Sequence, residues 1–143
     1  MATRKPEKKK KSALQRVVLV EDDAILAMAL ETAFLDGGVE EVVVCPSMAA
    51  TMAELENHRP DAIVLDVHLA DRNDGWALAE LVTMLGERPP RIAFSTGSPE
   101  DIPESVREMG PVFEKPYDPA KLVDVLMSGK KTGIFEKIRG ALR

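Results

Sequence analysis

Three carboxylates, a hydroxyl and an ammonium group stand at the ends of short apolar runs in this chain. Glu21 and Asp22 follow Val17-Val18-Leu19-Val20, and Asp66 follows Ala62-Ile63-Val64-Leu65. Thr96 follows a run that begins at Arg91, and Lys115-Pro116 follows Val112-Phe113-Glu114. Together these groups could hold one Mg²⁺ and one phosphoryl group. A hard octahedral cation takes one or two carboxylates plus phosphate and water, and an ammonium neutralises a phosphoryl oxygen as a point charge. A carboxylate accepts a phosphoryl group when its own charge is offset and the incoming group is aligned. Asp66, at a rigid strand tip, is the expected nucleophile. Asp22 and Asp66 are the expected Mg²⁺ ligands, with Glu21 acting directly or through water and His68 offering its backbone carbonyl. Lys115 and Thr96 are expected to meet the phosphoryl oxygens, and Gly97 to leave that face open.

Each element alone has a plainer explanation. An acidic doublet after a strand often marks a helix start, where carboxylates favour the positive dipole end. Lys-Pro commonly forms a turn, a threonine at a strand end is commonly structural, and a lone aspartate can cap a helix. The informative feature is the order and spacing of all four along one chain.

The elements that must position them follow from hydrophobic pattern. Apolar runs of four or five residues read as strands buried on both faces of a parallel sheet. Strands are expected at Arg16–Val20, Val42–Cys45, Ala62–Leu65, Arg91–Ser95 and Val112–Glu114. Helices alternate with them. One runs from about Ala24 to Leu35, with Leu26, Ala29, Leu30, Ala33 and Phe34 on its inner face, and Gly37-Gly38 stops it. A second starts after Ser47 and ends near Asn57. A third follows the polar loop from Ala70 to Gly75 and buries Leu78, Leu81, Val82 and Leu85. The fourth is short or irregular, because Pro99 and Pro103 flank Glu100-Asp101-Ile102. Asp118 caps the fifth, with Pro119 at its first position and Leu122, Val125 and Leu126 inward. Five strands alternating with five helices make a doubly wound α/β domain, whose ligands bind beyond the carboxyl ends of the strands.

At 143 residues the chain reads as one domain with tails: a basic disordered segment at 1–13, a domain at 14–128 and a basic amphipathic extension at 129–143. The net charge of −5 is segregated. Arg4, Lys5 and Lys8 to Lys11 dominate the first tail; Lys130, Lys131, Lys137, Arg139 and Arg143 dominate the second. The domain between them is strongly acidic, which suits divalent cations and disfavours nucleic acid. Cys45, the single cysteine, excludes an internal disulfide and a cysteine-rich zinc site, and reads as a buried thiol. No run approaches the roughly 18 apolar residues that span a bilayer, and no apolar segment follows the basic N-terminus. A cytoplasmic location with no stable membrane insertion is expected. His58 reads as exposed loop and Trp76 as helix packing. The methionines at 28, 48, 52, 84, 109 and 127 read as core fillers. In the extension, Ile134, Phe135, Ile138, Ala141 and Leu142 share one helical face. Helix extension or plain tail, a docking helix and a lipid-surface contact all remain open for it.

The stretches Val18-Leu19-Val20-Glu21-Asp22-Asp23, Ala62-Ile63-Val64-Leu65-Asp66, Phe94-Ser95-Thr96-Gly97 and Lys115-Pro116-Tyr117-Asp118 resemble the receiver domain of bacterial two-component response regulators, over about residues 14–128. The resemblance implies a flavodoxin-like sheet of order 2-1-3-4-5. It implies Mg²⁺-dependent phosphorylation of Asp66 by a histidine kinase or histidine phosphotransferase, and slow self-dephosphorylation. On this reading the chain is no enzyme beyond its own phosphorylation and dephosphorylation, and with no output domain it signals by protein–protein contact to a downstream target or by phosphorelay. Three features depart from the family. The Asp66–Gly75 loop is one residue longer and lacks the usual proline. Val112 stands where a switch aromatic is common, and the helix after Thr96 is proline-interrupted. With Phe94-Ser95-Thr96-Gly97 they resemble single-domain receivers carrying a Phe-x-Thr-Gly motif, and they point to residues 98–109 as the element that reports phosphorylation. A non-phosphorylated pseudo-receiver interaction module is the alternative. A phosphohydrolase with an aspartyl nucleophile is a third reading, disfavoured because His68 stands where its second acid–base aspartate belongs.

Overall fold

The computed structural model describes residues 14–69, 75–84 and 88–129. The expectations for the two tails, for the Ala70–Gly75 loop except Gly75 itself, and for Leu85 lie outside these residues. Five parallel strands form one sheet: β1 (Arg16–Val20), β2 (Glu41–Cys45), β3 (Ala62–Asp66), β4 (Arg91–Thr96) and β5 (Val112–Glu114). Their order is β2-β1-β3-β4-β5, as the resemblance implies. Helices α1 (Ala24–Asp36), α2 (Met48–Asn57), α3 (Trp76–Thr83), α4 (Glu104–Arg107) and α5 (Pro119–Ser128) make the crossovers.

The strands form where expected because central strands of a parallel sheet are covered on both sides. β3 is buried along its whole length, as are Val17 to Val20 of β1. One core lies between the sheet and α1 and α5, around Leu19, Phe34, Val64, Phe113 and Leu122. The other lies between the sheet and α2, α3 and α4, around Val18, Ile63, Leu78, Phe94 and Val106. The capping expectations hold: Ser47 accepts a hydrogen bond from the Ala50 amide, and Asp118 from the Ala120 amide with Pro119 following.

The helix faces need correction. In α1 the buried residues are Ala27, Leu30 and Phe34; Leu26 and Ala33 are half-buried, and Ala29 is exposed. The helix AILAMALETAFLD is apolar nearly all round, so periodicity alone cannot choose its inner face. The remainder of that surface, Ile25, Met28 and Leu35, faces solvent. In α3, Leu78, Ala79 and Val82 are buried but Leu81 is exposed. In α5, Val123 is buried and Val125 half-buried. Among the methionines, Met48 is buried and Met109 and Met127 pack on the cores, whereas Met28, Met52 and Met84 are exposed. Cys45 is buried, and burial pushes its thiol pKa up.

The fourth crossover is a 3₁₀ turn (Pro99–Asp101) followed by the one-turn α4, as the prolines dictate. It is nonetheless well tied down. Ile102 and Val106 are buried, and the Arg107 guanidinium donates to the Pro99 and Ile102 carbonyls. Gly110, which returns the chain to β5, sits so close to β4 that a Cβ there would lie 1.9 Å from the Ile92 carbonyl oxygen.

Candidate functional site

Strand order reverses at β1, because β2 lies on one side of it and β3 on the other. The crevice at such a switch point is where doubly wound sheets bind ligands. Glu21 and Asp22 leave the end of β1, and Asp66 closes β3 beside it, with Val20 paired to Leu65. A carboxylate oxygen from each of Glu21, Asp22 and Asp66 lies within 4.8 Å of the others. Glu21 and Asp66 are buried and Asp22 is exposed. Asp23 has a different task. Its side chain accepts hydrogen bonds from the amides of Ile25 and Leu26 and caps α1. The helix-start explanation of the acidic run therefore belongs to Asp23, and the cluster belongs to its two predecessors.

Lys115 crosses the crevice from the end of β5. Its ammonium lies 3.0 Å from Glu21 Oε1, donates to Glu21 Oε2 at 3.2 Å and to Asp66 Oδ2 at 3.1 Å. The Lys115 amide bonds the Thr96 carbonyl at 2.8 Å, which fixes it to the end of β4. The Lys115–Pro116 peptide is cis. Burial alone would lower the lysine pKa, but the two carboxylates outweigh it and raise the value. On Glu21 burial is the largest influence. Reinforced by the Asp66 charge and only partly countered by the Asp23 amide and Lys115, it lifts the carboxyl to about 7.

Thr96 is fully buried at the tip of β4, next to Ser95, which pairs with Asp66. Its Oγ1 accepts the Ser98 amide at 2.9 Å, which leaves its own proton free to donate. A Cβ added at Gly97 would meet nothing within 4 Å, so this side of the crevice is open. The His68 amide donates to Asp66 Oδ1 at 3.0 Å, and its imidazole turns to the Asp101 carboxylate at 2.8 Å. The structure thus brings Glu21, Asp22, Asp66 and Lys115 together, with Thr96 and His68 on the flanking strand end and loop.

The donors fit Mg²⁺. They are all hard carboxylate oxygens, and the buried Glu21 Oε1 has the Lys115 ammonium 3.0 Å away but no hydrogen bond of good geometry, so it keeps acceptor capacity for a cation.

Three contributors escaped the sequence reading. Ser95 and Tyr117 share a hydrogen bond at 2.6 Å, with the Tyr117 ring 5.6 Å from that of Phe113, and so join β4 to the loop after Lys115. Burial raises the Tyr117 pKa. Gly75 opens α3 against the phosphoacceptor candidate: a Cβ there would lie 2.8 Å from the Asp66 carbonyl oxygen. Asp101 is the third. A glycine ending the polar loop was the only local signal among these.

Residues 17–127 match the model of the response regulator receiver domain. The chain belongs to this family. One curated relative, the sensory transduction protein LytT of Enterococcus faecalis, is 30% identical over 118 residues, which is 80% of this chain and 48% of that protein. The receiver thus spans about half the length of that relative. Among solved structures, a CheY-like receiver domain from Methylobacillus flagellatus superimposes with a TM-score of 0.68 at 24% identity, covering 81% of this chain and 98% of that one. Chemotaxis regulator CheY4 of Vibrio cholerae gives 0.67 at 21%, with the same coverage. These likenesses establish the receiver fold, in which the acidic cluster occupies the crevice. No helix among the described residues is long and apolar enough to cross a membrane.

Proposed function

We propose that this receiver is a phosphoacceptor, with Asp66 as the nucleophile, and that it works in the cytoplasm by protein–protein contact or phosphorelay. The observation that carries this reading is the Lys115 ammonium held between the buried carboxylates of Glu21 and Asp66. A domain serving only as an interaction surface has no need to bury two carboxylates against a cation, because such burial costs several kcal/mol per ion before pairing offsets it.

Glu21, Asp22 and Asp66, with the His68 carbonyl, would hold Mg²⁺. When bound, the ion supplies neutralising charge for the phosphoryl oxygens. An Asp66 oxygen forms the new bond to phosphorus while the bond to the donor, a phosphohistidine nitrogen or an acetate oxygen, breaks and the leaving group keeps the electron pair. The product is an acyl phosphate. Lys115 shifts its hydrogen bond from Asp66 to a phosphoryl oxygen, and the Thr96 hydroxyl donates to another. The donor in the cell would be a sensor histidine kinase or a histidine phosphotransferase. The chain's own chemistry is limited to accepting the group and slowly losing it to water.

Intact mass after incubation with acetyl phosphate and Mg²⁺ tests this. One phosphoryl group is expected on the native chain, lost with EDTA and absent in Asp66→Asn. Failure to gain it both from acetyl phosphate and from a phosphorylated histidine phosphotransferase would leave the interaction-module reading instead.

A further inference from the structure

Two loops flank Asp66, and a side-chain pair ties them together. On one side is the segment after β3, in which His68 donates its amide to Asp66 Oδ1. On the other is the segment after β4, in which Ser98 donates its amide to Thr96 Oγ1 and the 3₁₀ turn begins. The His68 Nε2–Asp101 Oδ2 contact at 2.8 Å bridges them across 33 residues of sequence. The Asp101 amide in turn bonds the Ser98 carbonyl at 3.0 Å. The connections run from Asp66 through His68, Asp101 and Ser98 to the hydroxyl of Thr96. They leave the site on one side and return to it on the other.

The segment carrying Asp101 is internally braced. Arg107 staples its carbonyls, and Ile102 and Val106 anchor it in one core. It touches the site through the Thr96 hydroxyl and the His68 imidazole. Side chains of His68 and Asp101 are 35% and 51% exposed, so the pair is made and broken at modest cost.

We infer that Asp101 is a positioning residue for the metal and phosphoryl site, acting through His68, and that the Asp101–His68 pair couples occupancy at Asp66 to the order of residues 98–107. This rests on the phosphoacceptor reading. Holding the imidazole fixes the backbone of His68, and with it the amide on Asp66 and the carbonyl expected to meet the metal. By reciprocity, a ligand bound at Asp66 steadies the 3₁₀ turn and α4. This supplies a route for the signal in a receiver whose position 112 is valine.

The test uses the full chain, Mg²⁺ as the probe, the fluorescence of Trp76 at the start of α3, and amide exchange over residues 98–107. In the native chain Mg²⁺ is expected to bind saturably and to slow exchange in that segment. Asp101→Ala should weaken Mg²⁺ binding by about threefold, as suits a half-exposed pair, and abolish the Mg²⁺-dependent slowing. His68→Ala should do the same, and the double variant no more than either alone. Asp101→Asn, whose amide oxygen still accepts from an imidazole N–H, should bind like the native chain. A purely structural role would lower the melting temperature without changing Mg²⁺ affinity, and that result overturns the inference while leaving the phosphoacceptor reading intact. A native chain with no saturable Mg²⁺ response overturns both.

Discussion

Replacing Lys115 with methionine keeps most of the aliphatic stem and deletes the charge. That ammonium lies 3.0–3.2 Å from oxygens of Glu21 and Asp66. These two carboxylates are 1% and 3% exposed. Removing one partner of a buried ionic group costs about 3–5 kcal/mol, mostly because the remaining charge is left uncompensated. Lys115 is itself 26% exposed, so the lower end, about 3 kcal/mol, applies. For a domain of this size that corresponds to a fall in Tm of roughly 10 °C. The loss depends on pH, and its sign follows from Glu21. An acid whose folded pKa is raised destabilises the fold as pH rises above its unfolded value near 4.5, and the cost is complete above about 7. Without Lys115 the folded value moves higher still. The deficit therefore grows as pH rises above about 7 and shrinks by half or more at about pH 6, where Glu21 takes up a proton in both proteins. Mg²⁺ should restore much of the lost stability, since a divalent ion in the cluster replaces the missing charge. Thermal melts of both proteins at about pH 8.5 and about pH 6, with EDTA and with Mg²⁺, provide the assay. An equal deficit at both pH values, unaffected by Mg²⁺, would refute the electrostatic argument and assign the effect to packing.

Mg²⁺ affinity of the native protein should weaken as pH falls below about 7, by up to about tenfold per unit, because the ion must displace the Glu21 proton; titration at a series of pH values measures it. Gly75→Ala places a methyl group 2.8 Å from the Asp66 carbonyl oxygen, and should cost about 1–3 kcal/mol and slow acetyl-phosphate labelling, as melts and intact mass would show. Tyr117→Phe leaves the buried Ser95 hydroxyl without its 2.6 Å partner, and should lower stability by about 1–2 kcal/mol in denaturant unfolding.

The sequence by itself determined the scaffold and which groups converge at its carboxyl edge. Five apolar runs of strand length set five strands, of which the central ones are covered on both sides and β2 and β5 are partly open, and intervening caps such as Ser47 and Asp118 set the crossovers. Strands of a parallel sheet end on the same edge, so Glu21, Asp22, Asp66, Thr96 and Lys115 had to converge there. Prolines at 99 and 103 dictated the broken fourth helix, since each removes a backbone donor. The tertiary structure alone decided what is paired with what. Nothing local says that Lys115 reaches Glu21 as well as Asp66, that Asp23 caps while Glu21 turns into the crevice, or that His68 meets Asp101. Nor does periodicity choose the inner face of α1, which is apolar on nearly every side, so that Ile25 and Met28 lie in solvent and Ala27 in the core. These features depend on strand register and on loops that bring together residues far apart in the chain, whereas hydrophobic pattern and capping act over a few residues.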